Sequence, residues 1–272
     1  MSPSSRLPFP GVVRRLFLLA FIVSTSSCGP ALHPLPLRPE TDPAVLIARM
    51  QARQAGLHGL SAVGRAESST SDGTMRGRVT VLADTTGRLR VDAWTPTDDL
   101  VAALAAGPEG FTYFQRGGAC LVGDACRSNL GRVLPRGWDL DSVVRGLLGI
   151  APLRPTVGPW LLDFDRRVGA YRLESNVVGG GRQRVWIYDS GAAARYERDE
   201  AGKLVLRLDI EEPAQDAGAP ARKVRLRTGR GETELAVRYR EVESNPEVSP
   251  DDWIVECPPG LDIRYLPCEG EP

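Results

Sequence analysis

The 272-residue sequence is poor in lysine and histidine and carries no excess of either charge. Lysine occurs at two positions, Lys203 and Lys223, among 34 basic residues, and 34 acidic residues bring the formal net charge to zero. This balance excludes a polybasic nucleic-acid binder in which charge alone supplies affinity, and it excludes a charge-driven disordered chain. His33 and His58 are the two histidines, and no CxxC pair is present, so a zinc site lacks its usual ligands. GxSxG, HExxH and P-loop motifs are absent. The acidic pairs Asp98-Asp99, Glu211-Glu212 and Asp251-Asp252 fall at predicted strand or turn ends, where solvated or capping roles suit them. Gly179-Gly180-Gly181 has no helix after it and reads as a hairpin turn, not a phosphate cradle. These absences point to a chain with no catalytic residues, no cofactor and no metal. The hydrophobic fraction of 42% is that of a globular chain with a core.

What is present begins at the N-terminus. Arg6, Arg14 and Arg15 precede the apolar run Leu16–Val23, and Ser24-Thr25-Ser26-Ser27 leads to Cys28. Eight apolar residues are too few to span a bilayer and have the length of a signal-peptide core. The small residues before Cys28 resemble the lipobox of bacterial lipoproteins, with Thr25 where that motif usually has Leu. The resemblance implies cleavage of residues 1–27 as a signal peptide and a lipid on Cys28. Export by the Sec route is expected, although Arg14-Arg15 also resembles a twin-arginine motif. Gly29 in place of an Asp after the lipidated Cys implies, again by resemblance, the outer membrane of a Gram-negative bacterium, with the protein facing the periplasm. Loss of residues 1–27 removes three arginines and no acid, leaving the mature chain near −3.

Residues 28–40 hold four prolines and read as an extended tether. Residues 41–272 read as a single domain. Asp42 and Pro43 open an amphipathic helix over Ala44–Ala55, stopped at Gly56. Period-2 alternation then predicts strands over Gly77–Ala83, Gly87–Trp94, Lys203–Ile210, Arg222–Thr228 and Glu234–Arg240. Weaker strands are expected at 58–67, 99–106, 111–115, 170–177 and 183–188. One wet and one dry face per strand means antiparallel sheet. Ser128 is placed to cap a short helix through Leu134, and Asp139 to cap Leu140–Leu148, which carries the apolar stripe Val143, Val144, Leu147 and Leu148. The expected fold is therefore mainly β with a helical lid of about three helices. The alternating arginine faces are read as solvated sheet surface, with anionic headgroups as the sharper alternative.

Four cysteines remain after Cys28: Cys120, Cys126, Cys257 and Cys268. An even count in an exported chain reads as two disulfides with three possible connectivities. Local pairing, Cys120–Cys126 and Cys257–Cys268, is expected, because Gly123-Asp124 reads as a hairpin turn that sets Cys120 opposite Cys126.

The stretches Leu57–Arg65, Gly87–Ala93, Ser128–Pro152 and Asp252–Leu266 resemble the LolA/LolB superfamily of lipoprotein carriers and acceptors. The resemblance covers roughly 40–270. It implies an unclosed antiparallel half-barrel whose apolar interior accepts acyl chains of lipoproteins or lipids. Val79, Val81, Leu89, Val91, Leu206, Leu208, Leu226, Leu235 and Val237 share inward parity and are the expected lining, faced by Val143, Val144, Leu147 and Leu148 from the lid. The tip after the third strand is Thr95-Pro96-Thr97-Asp98, where LolB-type acceptors carry a protruding Leu; Thr97 stands at that place. The expected partners are the membrane, through the N-terminal lipid, and a periplasmic carrier or envelope complex. The other reading is a structural or assembly lipoprotein with a packed interior. Cys28→Ser should release the protein as a soluble periplasmic form; persistence in salt-washed membranes after cell fractionation would contradict the lipid anchor.

Overall fold

The computed structural model describes residues 32–70, 73–135, 137–229, 231 and 233–268; the signal segment and Cys28 lie outside the described residues. Helix α1 (Pro43–Gln54) is followed by β1 (Gly59–Thr70), β2 (Gly73–Asp84), β3 (Arg88–Trp94), β4 (Leu100–Gly107), β5 (Gly110–Gln115) and β6 (Cys120–Gly123). The short helices α2 (Arg127–Leu130) and α3 (Leu140–Leu148) come next. The chain then forms β7 (Thr156–Asp165), β8 (Ala170–Val177), β9 (Arg182–Ile187), β10 (Ala193–Glu200), β11 (Lys203–Glu212), β12 (Lys223–Thr228), β13 (Thr233–Ser244), a 3₁₀ turn at Pro250–Trp253 and β14 (Ile263–Leu266).

Among the described residues the fourteen strands form one sheet, in the order β14-β6-β5-β4-β3-β2-β1-β13-β12-β11-β10-β9-β8-β7. Two runs of consecutive hairpins meet where β1 pairs with β13, and the edges β14 and β7 stay apart, so the sheet is an unclosed half-barrel. All pairings are antiparallel except β14 with β6, which is parallel. At the β1–β13 seam a bulge falls between Val63 and Gly64. A Cβ at Gly64 would stand 2.5 Å from the Arg238 carbonyl oxygen, so the seam closes on a residue without a side chain.

Local chemistry accounts for the helices. The Asp42 carboxylate accepts from the Ala44 N–H and Pro43 opens α1. The Asp139 carboxylate accepts from the Ser142 N–H at the start of α3, and Gly149 ends it at φ 77°. The helix expected from Ser128 to Leu134 is shorter: it spans Arg127–Leu130 with Cys126 as its N-cap, and turns carry the chain on.

Of the strands outside the ranges expected from sequence, three have a clear physical reason. In β7 the register breaks between Val157 and Leu161, around Gly158-Pro159, and hides the alternation. In β10 a bulge between Arg198 and Asp199 shifts parity midway. β6 is four residues long and takes the place of the expected Gly123-Asp124 turn.

The cysteine pairing corrects the local expectation. The links are Cys120–Cys257 and Cys126–Cys268, with Cα–Cα distances of 5.8 and 6.0 Å. The reason is the path of the C-terminus. After the 3₁₀ turn it crosses the outer face of β4–β6, burying Ala103, Ala105, Phe114 and Val255, and then adds β14 beside β6. Gly123 permits this approach, since a Cβ there would lie 2.5 Å from the Leu266 carbonyl oxygen. The Asn129 amide donates to the carbonyls of Asp124 and Leu266 and ties α2 to the same strand.

Peptide mapping without reduction should therefore recover Cys120–Cys257 and Cys126–Cys268. Each link closes a loop of well over a hundred residues in the unfolded chain, so Cys257→Ser should lower stability by about 2–5 kcal/mol in denaturant melts.

Candidate functional site

The concave face of the sheet and helix α3 form the candidate site. Val79, Val81, Leu89, Leu206, Leu208, Leu226 and Val237 are all buried in one cluster with Val143, Val144, Leu147 and Leu148. Val91 and Leu235 are half-buried against the same cluster. The expected lining and lid residues thus meet on one surface. They meet by direct packing: Leu206, Leu208 and Leu226 are 0% exposed. Gly146 shows how close the lid lies. A Cβ there would stand 3.4 Å from Leu226 Cδ2 and 3.5 Å from Leu208 Cδ1, so the helix backbone itself rests on the sheet.

Polar groups fix the lid at both ends. The Tyr239 hydroxyl donates to the Leu147 carbonyl at 3.1 Å, and Trp138 Nε1 donates to the Arg227 carbonyl at 3.2 Å. Asp139 pairs with Arg154, which follows the lid in sequence. Gln183, fully buried on β9, accepts from the Arg154 N–H at 3.0 Å, donates to its carbonyl at 2.8 Å, and accepts from the Tyr196 hydroxyl at 3.2 Å. Burial alone would raise the Asp139 carboxyl, but the hydrogen bonds from Ser142 and the charges of Arg154 and Arg198 outweigh it and hold it below the usual range. Burial pushes the Tyr196 phenol up to about 12 and lifts Tyr239 higher still, so both stay protonated donors. Asp139 was legible as a helix cap. Gln183, Arg154, Trp138 and Tyr239 were not, because their partners, backbone groups for Gln183, Trp138 and Tyr239 and the Asp139 carboxylate for Arg154, lie well away in sequence.

The cleft on the concave side is small. A cleft beneath α1 and the end of α3, lined by Leu57, Leu148, Gly149 and Ile210, holds about 30 Å³, against several hundred for typical ligand pockets. A groove of about 330 Å³ lies on the outer face between β1–β3 and the crossing chain, but Arg90, Asp92, Glu243, Glu247 and Asp252 line it. That lining suits water better than an acyl chain.

The outer face of β9–β13 carries a charge ladder. Arg184 pairs with Glu197 and Asp199; Arg207 with Glu197 and Asp209; Arg195 and Arg227 with Asp209; Arg225 with Glu211 and Glu234. Its acids Glu197, Asp199 and Asp209 are buried under the arginine stems. Burial would raise Asp209, yet the hydrogen bonds and charges of Arg207 and Arg195 hold it low. The alternating arginines are therefore matched within the sheet. The Thr95–Asp99 tip is a polar turn closed by Thr95, Thr97 and Asp99. Among the described residues no group of three His, Cys, Asp or Glu side chains is placed to hold a metal, and no helix is long and apolar enough to cross a membrane.

No family model matches the sequence, and no curated protein resembles it significantly in sequence. Solved structures do resemble the fold. A DUF1329 family protein from Desulfovibrio piger superposes with a TM-score of 0.51 at 12% identity, over 79% of this chain and 98% of that one. A putative outer membrane lipoprotein-sorting protein domain from Vibrio parahaemolyticus gives 0.51 at 10% identity, over 77% and 94%. A LolA superfamily protein from Nitrosomonas europaea gives 0.45 at 9% identity, over 80% and 99%. The chain thus shares the fold of the first two of these structures.

The lowered Asp139 and Asp209 set an acid limit. Each stabilises the fold above the ordinary carboxylate pKa near 4, and that contribution is lost as pH falls through the depressed value. Urea midpoints should drop below about pH 4, and Asp209→Asn should flatten the drop. Asp139→Ala should cost about 1 kcal/mol at neutral pH through loss of the cap.

Proposed function

We propose that this chain is an outer-membrane lipoprotein, anchored through Cys28 and facing the periplasm, that binds a hydrophobic ligand non-catalytically on the concave face of its half-barrel. The ligand class is an acyl chain of a lipoprotein or lipid. The observation that carries the reading is the nature of the lid. One nine-residue helix, capped by Asp139 and ended by Gly149, lays four apolar side chains on the concave face of an open sheet, with Leu46 and Met50 of α1 and Leu130, Leu134 and Trp138 buried in the same cluster. A guest with a comparable apolar surface has the same face to occupy once α3 swings out. The packed interior is then the closed, ligand-free state, and binding is coupled to lid displacement. The fold is shared with a domain described as lipoprotein-sorting, which supports the same ligand class.

The same packing supports a second reading, a structural lipoprotein whose filled interior is permanent and whose outer surface docks on an envelope complex or carrier. The two differ in what the lid does. Gly146→Ala adds helix propensity and fills ordinary contact distance to Leu208 and Leu226, so it should stabilise the closed lid by up to about 1 kcal/mol. If binding needs an open lid, the variant should melt higher and bind a fluorescent fatty-acyl probe about five-fold more weakly. A higher melt with no probe binding by either protein favours the structural reading. Val91→Glu, at a half-buried lining position, should abolish probe binding while the domain still folds; wild-type binding by a folded variant would remove this face as the site.

A further inference from the structure

The tether is not loose where it leaves the domain. The His33 N–H donates to the Arg166 carbonyl at 2.8 Å, and Arg166 Nε donates back to the His33 carbonyl at 3.0 Å. Gly169, at φ 74°, makes room for the imidazole: a Cβ there would lie 2.7 Å from the ring. Seven residues on, the Glu40 N–H donates to the Tyr171 hydroxyl, and the Glu40 carboxylate pairs with Arg49. The segment 33–40 is therefore strapped along the β7–β8 hairpin, with its first residue fixed at the hairpin turn, Arg166–Gly169.

Five residue steps separate His33 from Cys28, which at full extension is at most about 18 Å. Whatever holds Cys28 therefore holds the β7–β8 turn close by. The chemistry of that corner fits a lipid surface. Arg166 and Arg167 are exposed at the turn and Arg38 on the strap, and among the described residues no carboxylate pairs with any of the three guanidinium groups, although the Arg167 backbone N–H donates to Asp165. Leu32, Leu35 and Leu37 are exposed along the same strap, at 52%, 61% and 103%. Cations beside exposed leucines are the composition of an interfacial contact. They stand out in a mature chain of net negative charge, in which the other sheet arginines are largely paired.

The geometry points to a membrane-contact face: the β7–β8 turn with the strap 32–40 lies against an anionic phospholipid surface and fixes how the half-barrel stands on the membrane. This rests on Cys28 as the anchor. The test supplies the anchor chemically, so it stands even if cells do not lipidate Cys28. The four other cysteines are paired, so in the mature chain from Cys28 onward that thiol alone is free to couple to a maleimide phospholipid. Hydrogen exchange of the coupled chain should show protection of 33–40 and 165–169 on phosphatidylcholine vesicles that contain phosphatidylglycerol, and little on phosphatidylcholine alone. Cosedimentation of the Cys28→Ser chain with the anionic vesicles should weaken about five-fold in Arg167→Gln and stay unchanged in Arg132→Gln, an exposed arginine outside the strap. Absence of protection on the anionic vesicles, protection of the Thr95–Asp99 tip in place of the turn, or equal loss in Arg132→Gln would each overturn the assignment.

Discussion

An open sheet with one apolar face has to cover that face, and the rest of this structure is arranged around how α3 covers it. The helix lies against β2, β3, β11, β12 and β13, and Leu46 and Met50 of α1 with Leu130, Leu134 and Trp138 join it in the same buried cluster. The lid has to stop within the concavity, which Gly149 allows and Asp139 mirrors at the other end. It also lies close on the strands, with Leu208 and Leu226 at ordinary contact distance from position 146. Tyr239 and Trp138 then satisfy carbonyls that the close approach would leave stranded.

The outer face is protected by different means on its two halves. Over β9–β13, strands of alternating Arg, Asp and Glu neutralise each other across the sheet, and the guanidinium stems cover the buried acids. Exposed pairs contribute little one at a time, but buried acids that lost their arginines would be costly, so the ladder acts as a unit. Over β4–β6, where both strand faces are apolar, the C-terminal crossing supplies the cover and the disulfides hold it. The edges are guarded too: β7 carries Pro159 and a bulge, and β14 is four residues long.

Much of the fold was readable in the sequence because one-sided strands announce themselves. Lys203–Ile210 and Arg222–Thr228 lie within or next to β11 and β12 with the expected parity, and the Asp139–Gly149 helix has the expected bounds. The reading failed where parity breaks. β7 and β10 are bulged, and β6 is too short to alternate. The disulfide pairing was illegible for a related reason. Nothing local tells that residues 254–268 return across the outer face, so the nearest cysteines looked like partners. At the site, side-chain parity named the lining residues but said nothing of how tightly the lid fills them. That depends on side chains packed from several elements and on hydrogen bonds to backbone atoms from Gln183 and Tyr239, which have no sequence signature.

Packing of this kind bears on how a ligand would enter. A guest shifts the lid only by as much as it binds the open form better than the closed one. Opening exposes Val143, Val144, Leu147 and Leu148 together with the sheet residues beneath them, and it breaks the bonds of Tyr239 and Trp138 to backbone carbonyls. Burying each such aliphatic side chain is worth about 1.5–3 kcal/mol, so the open form alone is strongly disfavoured. A small or polar ligand cannot offset that exposure. A long acyl chain can, at about 0.8 kcal/mol per buried methylene, because it replaces the apolar surface that the helix withdraws. A ligand bound in the proposed way would be selected by length: the more methylenes a chain buried, the more of the opening cost it would offset, and short chains would leave α3 in place.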